Sequence, residues 1–158
     1  MKTIIRYCCA ILVASAVALA SARAGGSEIK GTFNGDGKPA KLACVSAHKG
    51  EPFSGKDTIV LVFTEKDHSK EKTPEIKASF GDFGSALILT VDSDGDIVGC
   101  EVAHMAHAQK PFSSIGRIKM TEFKNEGGQI QGKVSTGGKT DTFGQSWEVD
   151  LTFKTPAP

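Results

Sequence analysis

The sequence predicts an all-β protein, either an antiparallel β-sandwich or a small barrel, with about eight strands and little helix. Short apolar runs recur along the chain, and its 18 glycines fall between these runs rather than in a repeat. Turn signals therefore recur about every eight to twelve residues, as in sandwiches and barrels. No long stretch keeps the 3.6-residue apolar period of an amphipathic helix. These features indicate strands joined by tight turns.

Residues 1–24 have the order of a secretory signal peptide. Met1–Arg6 is short and basic, Ala10–Ala20 is an apolar run, and Ala22–Ala24 supplies small residues at a cleavage point. The run is too short to span a bilayer as an anchor. We therefore expect an exported protein, periplasmic or secreted, with a single β-domain at residues 25–158 and no membrane anchor.

Eight segments have the pattern of strands, being rich in apolar and β-branched residues and bounded by turn residues. In chain order they are residues 28–33, 40–47, 58–63, 85–91, 97–103, 116–123, 129–135 and 147–153. The segment 58–63 is apolar throughout, which predicts a strand buried on both faces. The segment 147–153 alternates apolar and polar residues, which predicts a half-buried strand. Its inward-facing residues are Trp147, Val149, Leu151 and Phe153.

Three connections are predicted to be hairpin turns, at residues 34–37, 92–96 and 125–128, because Asn-Gly, Asp-Gly and Gly-Gly steps tolerate the positive φ of tight turns. The acidic turn 92–96 does not match a calcium loop of the EF-hand type, since Gly is fourth and Ala103 stands at position twelve. The charged segment 65–77 is interpreted as a solvated excursion, with one helical turn around residues 74–80.

The cysteines predict one disulfide. Cys8 and Cys9 belong to the signal peptide, so Cys44 and Cys100 remain in an oxidising compartment. Cys100 shares a strand face with Val98 and could bridge to a second sheet. A bond between Cys44 and Cys100 would close a loop of more than fifty residues. In the chain-entropy model such a bond stabilises the fold by about 4 kcal/mol. The alternative is two free thiols acting as soft metal ligands.

The charge balance argues against nucleic acid and anionic membranes as partners. Removing Lys2, Arg6 and Arg23 from the 19 basic residues leaves 16 against 18 acidic residues. No basic stripe remains in the mature chain, and such a stripe is what phosphate backbones and anionic surfaces require.

One group of residues is a candidate metal site. His104, Met105 and His107 follow a predicted strand, and imidazole with thioether suits copper. His48 is the candidate fourth ligand, and His68 is the remaining histidine. The competing interpretation is that His104 and His107 are solvated or lie at the edge of the core. No other cofactor is predicted.

The sequence offers little support for catalysis. It contains no G-x-S-x-G nucleophile motif, and its acids fall mainly in turns and on outward strand faces. A Ser/His/Asp triad built from distant positions would leave no local pattern. Sugar binding is disfavoured because the mature chain has no Tyr and its single Trp, Trp147, is predicted to lie in the core.

These observations predict a non-enzymatic exported β-domain that binds an unknown protein or small-molecule ligand through its end loops, residues 65–77, 104–114 and 137–144. Phe80 and Phe143 lie in loops that carry glycine; we expect them to close the ends of the sandwich, and exposed they would form a contact patch. Two alternatives stay open. One is a copper-binding protein that uses the histidines above, and the other is a small-molecule carrier with a hollow interior.

Overall fold

The structure is a computed structural model that describes residues 26–158, where the chain forms two antiparallel sheets. The signal peptide predicted at residues 1–24 lies outside the described residues. The described part contains eleven strands and one short helix. In chain order these are β1 (Glu28–Gly35), β2 (Lys38–Ala40), β3 (Cys44–Lys49), β4 (Thr58–Thr64), α1 (Pro74–Ser79), β5 (Ala86–Asp92), β6 (Ile97–Ala103), β7 (Phe112–Ser113), β8 (Lys119–Glu126), β9 (Gln129–Ser135), β10 (Thr140–Thr142) and β11 (Gln145–Pro156).

The two sheets pack face to face as a β-sandwich. The first sheet has the order β2–β1–β11–β9–β8, with β10 paired to the start of β11, and the second has the order β3–β4–β5–β6–β7. One core cluster takes buried side chains from both sheets. Its largest fully buried members include Trp147, Phe33, Phe63, Leu61, Leu87, Leu89 and Ile130. The prediction of an all-β fold with little helix is confirmed.

β11 is the central strand of the first sheet and alternates as predicted. Trp147, Val149, Leu151 and Phe153 are all buried in the core, while residues between them are half-buried or exposed. Each fully buried side chain of this size contributes about 1.5–3 kcal/mol of transfer free energy. The period-two pattern of the sequence therefore identifies both the strand and its inner face.

β4 is buried on both faces, as its continuous apolar run predicts. Leu61 and Phe63 point into the sandwich core, while Val62 belongs to a second cluster on the outer face. That outer cluster also contains Ala78 of α1, so the segment between β4 and β5 covers the sheet from outside. The predicted helical turn in this segment is confirmed: Pro74 occupies its first turn, and the helix stops at Phe80, just before Gly81 with a positive φ of 84°.

The predicted strand at residues 40–47 is wrong, because the chain changes sheets within it. β2 pairs with β1 in the first sheet, and β3 pairs with β4 in the second. Leu42 lies between them and is buried in the core. An apolar side chain at the crossover looks the same in the sequence as one within a strand, so the pattern did not reveal the break.

The strand count and some strand limits also differ from the prediction. β7 and β10 are short pairings inside segments expected to be loops. β8 spans Lys119–Glu126 rather than residues 116–123, and its pairing with β9 shifts register between Thr121 and Lys124, where Glu122 has a positive φ of 55°. A bulge on a largely exposed strand leaves a weak alternation signal.

The structure does not contain the predicted disulfide. Both thiols are free within the described residues, Cys44 half-buried and Cys100 buried. The two residues lie in the same sheet, on β3 and β6, with β4 and β5 between them. Three strand spacings separate their backbones by about 14 Å, and a disulfide requires Cα atoms within about 7 Å. The expectation that they bridge two sheets fails because both belong to one sheet.

The space between the described strands is filled by side chains of both sheets. The small-molecule carrier that a hollow interior would imply stays a prediction. None of the helical structure in these residues is long and apolar enough to cross a bilayer.

Candidate functional site

Two of the predicted binding loops are joined at one end of the sandwich. The backbone N–H of Gln109 donates to the side-chain oxygen of Gln145 (2.9 Å), and the Gln145 amide donates to the Gln109 carbonyl (2.8 Å). The hydroxyls of Ser114 and Thr142 lie 2.8 Å apart. These bonds hold the loop after β6 against the turn between β10 and β11.

The segment between β4 and β5 reaches the same end. The Glu65 carboxylate accepts the Ser85 backbone N–H (2.6 Å), and the Ser85 hydroxyl accepts the Met105 backbone N–H (3.2 Å). The Met105 sulfur lies beside Gly81, 3.1 Å from where a Cβ would stand. All three predicted loops therefore meet at this end.

The loops that meet at this end carry the exposed side chains of Phe80, Met105 and Phe143, which we call the apolar end patch. Phe80 and Phe143 are each 75% exposed. Ile76 on α1 and Ile115 after β7 are also exposed. The expectation that Phe80 and Phe143 close the ends of the sandwich is wrong, since both rings face outward.

His104 and His107 are buried below the patch and contact each other. Both residues are 2% exposed, and their ring centroids lie 5.2 Å apart. The His104 ring packs against Phe33 (5.1 Å) and the His107 ring against Phe112 (5.2 Å). Gly35 makes room for them: a Cβ there would stand 2.4 Å from a His104 ring carbon. The interpretation of these histidines as core-edge residues is consistent with this burial.

Hydrogen bonds determine which ring nitrogen of each histidine carries the proton. The Ala106 backbone N–H donates to His104 Nδ1 (3.1 Å), so the neutral His104 ring carries its proton on Nε2. His107 Nε2 lies 3.0 Å from the Ser146 carbonyl and must donate to it, so the lone pair of the neutral His107 ring is on Nδ1. Neither His104 Nε2 nor His107 Nδ1 has a hydrogen-bond partner among the described residues.

This proton arrangement is poorly suited to a metal ion. A metal ion on His104 would need a lone pair on Nε2, but that nitrogen carries the proton because Nδ1 accepts a backbone N–H. Of the two rings, the available lone pair is therefore on His107 Nδ1. The Met105 side chain is exposed beside Gly81, and His48 lies on β3, with two strands between it and β6. The structure therefore joins His104 with His107 but does not bring His48 to them.

The pKa of His104 is lowered, chiefly because burial disfavours its charged form and also because His107 is adjacent. Glu65, Asp36 and the Lys38 backbone act in the raising direction. The neutral ring is thus the stable form in the folded protein at neutral pH.

His48 and His68 meet elsewhere, in a surface cleft of about 450 Å³ that we call the β3 cleft. The Ser46 hydroxyl lies 2.8 Å from His48 Nε2 and 2.7 Å from His68 Nε2. His68 Nδ1 lies 2.6 Å from the Thr64 hydroxyl, which donates to the Lys66 carbonyl (2.7 Å). The cleft is also lined by Cys44, Asp67, Ser69, Glu71, Ser27 and residues 155–157.

Sequence reasoning missed this Ser–His cluster. The available signal was the alternation of Cys44, Ser46 and His48, which places three polar or reactive side chains on one strand face. The partner, His68, belongs to a loop beyond β4, and no spacing rule connects it with Ser46.

Within residues 26–158, no three or more His, Cys, Asp and Glu side chains are grouped so as to hold a metal ion. No protein family, curated protein or solved structure matches the chain. The fold and the two sites above are therefore the basis for assigning a function.

Proposed function

We propose that the protein is an exported β-sandwich domain that binds a partner protein through the apolar end patch. The observation that carries this proposal is the outward position of Phe80 and Phe143, each 75% exposed, on loops that meet at one end of the sandwich. Contiguous exposed apolar patches larger than a few hundred Å² mark interaction sites on soluble proteins. Covering one such Phe ring contributes about 1.5–3 kcal/mol.

The loops that carry the patch are held in place before binding. Gln109 and Gln145 exchange two hydrogen bonds, and Phe80 ends a helix whose Ala78 packs on the sheet. A preformed surface loses little conformational entropy when it is covered. This arrangement supports binding by a rigid surface rather than by a segment that orders on contact.

The surroundings of the patch favour a protein over a lipid surface. Charges of both signs lie next to it, including the ion pair between Lys77 and Glu71 (2.8 Å), and the mature chain is close to neutral. An apolar centre with a mixed polar rim is the usual composition of a protein interface. Anionic membranes require a net basic surface instead.

Site-specific photocrosslinking in the native host tests the proposal. The photoreactive residue p-benzoylphenylalanine is placed at position 80 or 143, and at position 53 as the control. Phe53 is 53% exposed but lies between β3 and β4, at the opposite end of the second sheet. We expect the same protein to be crosslinked from positions 80 and 143 and not from position 53.

Binding of the purified partner then measures the contribution of each ring. We expect F80S and F143S each to weaken binding by about tenfold or more, as for interface residues that contribute over 1.4 kcal/mol, and F53S to leave it unchanged. Crosslinks between two copies of this chain, or equal crosslinking from position 53, would refute the proposal.

Export is tested separately, by locating the protein in fractionated cells and sequencing its N-terminus. We expect the exported form to begin near Gly25, since Ala22–Ala24 has the small residues that a signal peptidase requires. Retention of residues 1–24 in the cytoplasm would contradict this part of the proposal.

A further inference from the structure

The β3 cleft contains a serine whose hydroxyl contacts an imidazole. Cys44, Ser46 and His48 project from one face of β3, which is the edge strand of the second sheet in the described part of the chain. Ser46 is half-buried and lines the cleft, so its hydroxyl borders the open volume. His68, from the loop after β4, approaches from the side and is 3% exposed.

The hydrogen bonds assign a direction to every proton in this cluster. A carbonyl can only accept, so the Thr64 hydroxyl gives its one hydrogen to the Lys66 carbonyl. The Thr64 oxygen must then accept from His68 Nδ1–H. A neutral His68 therefore has its lone pair on Nε2, and the Ser46 hydroxyl donates to it.

His68 is suited to act as a base. Burial lowers its pKa, and His48 lowers it further, while the neighbouring Asp67 acts in the raising direction. The ring also packs against Phe83, with centroids 5.8 Å apart. At neutral pH the imidazole is thus uncharged and can accept a proton from Ser46.

The second imidazole contacts the same oxygen. Since the Ser46 hydrogen goes to His68, the Ser46 oxygen accepts from His48 Nε2–H (2.8 Å). This bond holds the Ser46 oxygen between the two imidazoles and leaves its second lone pair free for attack.

The open edge of β3 adds backbone donors. Gly50 N–H donates to the Thr58 carbonyl, so hydrogen-bonded pairs alternate from that position along β3 and β4. Val45 and Ala47 therefore turn their N–H groups away from β4, toward the edge. Consistent with this, the Val45 carbonyl accepts from the Thr155 hydroxyl across the cleft (3.3 Å).

We infer that Ser46 is a nucleophile activated by His68, and that the β3 cleft cleaves small carboxylic esters with neutral or cationic acyl groups. A hydroxyl within 2.7 Å of an oriented imidazole is the arrangement that serine acyl-transfer sites share, whatever their fold. This site is distinct from the apolar end patch, and the inference does not rest on the proposed binding function.

The reaction proceeds through two acyl transfers. Ser46 Oγ attacks the ester carbonyl carbon while His68 Nε2 takes its proton; the bond to the alcohol oxygen then breaks, and the departing alcohol takes that proton. Water repeats the attack on the acyl-serine with His68 as base, releasing the acid and returning the proton to Ser46. Thr64 is a positioning residue that holds the tautomer of His68.

The cleft lining indicates the substrate class. Its charged side chains other than histidine are the carboxylates Asp67 and Glu71; Glu71 is paired with Lys77, and the Asp67 charge disfavours anionic acyl groups. A volume of about 450 Å³ accommodates a small molecule rather than a polymer. Thr64 stands where known triads place a carboxylate, so the imidazolium gains less stabilisation, and esters are better substrates than amides.

A fluorophosphonate probe tests the nucleophile directly on the purified wild-type protein. Ser46 Oγ would form a bond to phosphorus, fluoride would leave, and His68 would take the proton. We expect one label per chain, located on Ser46 by peptide mass spectrometry, and slow hydrolysis of p-nitrophenyl acetate. A folded wild-type protein that stays unlabelled, or carries the label on another residue, would overturn the inference.

Matched variants separate catalysis from folding, with circular dichroism as the check of structure. S46A should abolish labelling and H68A should slow it about 100-fold, while S93A should not change it, because Ser93 is exposed in the turn 92–96, outside the cleft. T64S should preserve the pH profile of labelling, whereas T64V should alter it by releasing the His68 tautomer. Equal labelling rates in wild type and a folded H68A would refute the role of His68.

Discussion

Replacing Gly35 by alanine tests the packing of the buried histidine pair. The added Cβ would stand 2.4 Å from His104 Cγ, 2.5 Å from His104 Nδ1 and 2.8 Å from His107 Nε2. Ordinary carbon contacts lie at about 3.5–4.0 Å, so the overlap exceeds about 1 Å. Neither ring can turn aside without losing its hydrogen bond to Ala106 or Ser146.

We expect G35A to lower the free energy of unfolding by about 2 kcal/mol, within the range of overpacked cores. That corresponds to a fall in melting temperature of about 8 °C for a domain of this size. Thermal unfolding followed by circular dichroism, supported by urea titration, measures both values. The matched control is G132A, where a Cβ would meet the flexible Met120 side chain (Sδ, 2.8 Å) and, more loosely, the Phe153 ring (3.3 Å), and should cost less.

A double-mutant cycle identifies the source of the loss. G35A should cost less in an H104A background, because the closest contact has been removed. If G35A is as stable as the wild type, or if its cost is the same with and without His104, the described packing of the imidazole on Gly35 is incorrect.

Three further predictions concern titratable groups. In the denatured protein without reductant, both Cys44 and Cys100 should react with a thiol reagent. In the folded protein Cys100 should be protected, because burial raises its pKa to about 12. An intact mass that shows a disulfide would contradict the prediction of two free thiols. Because the pKa of His104 is lowered in the folded protein, the unfolded chain binds the His104 proton more tightly. The free energy of unfolding should therefore fall as the pH drops below the ordinary value of 6.5. H104Q should make the free energy of unfolding, measured by urea titration, less dependent on pH in this range. Lys56 holds the pKa of Asp92 below its ordinary 3.8. K56M should therefore destabilise the protein at neutral pH, and it should destabilise it less once the pH is low enough to protonate Asp92. An equal loss of unfolding free energy at both pH values would refute the pairing.

Features of the fold that depend on local pattern could be predicted from the sequence. The strict alternation of apolar and polar residues in β11 predicts its inner face, and Pro74 in the first turn predicts α1. β6 has the predicted limits, residues 97–103. In each case neighbours in the chain determine the outcome, so a short window is sufficient.

Features that depend on the order of strands could not be predicted. Cys44 and Cys100 both belong to strands, but their distance is set by the two strands between them. The contact between Ser46 and His68 has the same origin, since it requires the loop after β4 to fold back over β3. The direction of the Phe143 ring depends on how the end loops meet, which no local pattern encodes.

The pairing of β1 with β11 has a consequence for how the chain acquires its structure. Glu28 aligns with Lys154 and Gly35 with Trp147, so the earliest described strand has its neighbour in the last one. During synthesis β1 must wait until nearly all of the described chain has emerged, whereas the hairpins of the second sheet can close locally. Long-range closure of this kind slows folding, so the first sheet stays incomplete until the end of synthesis.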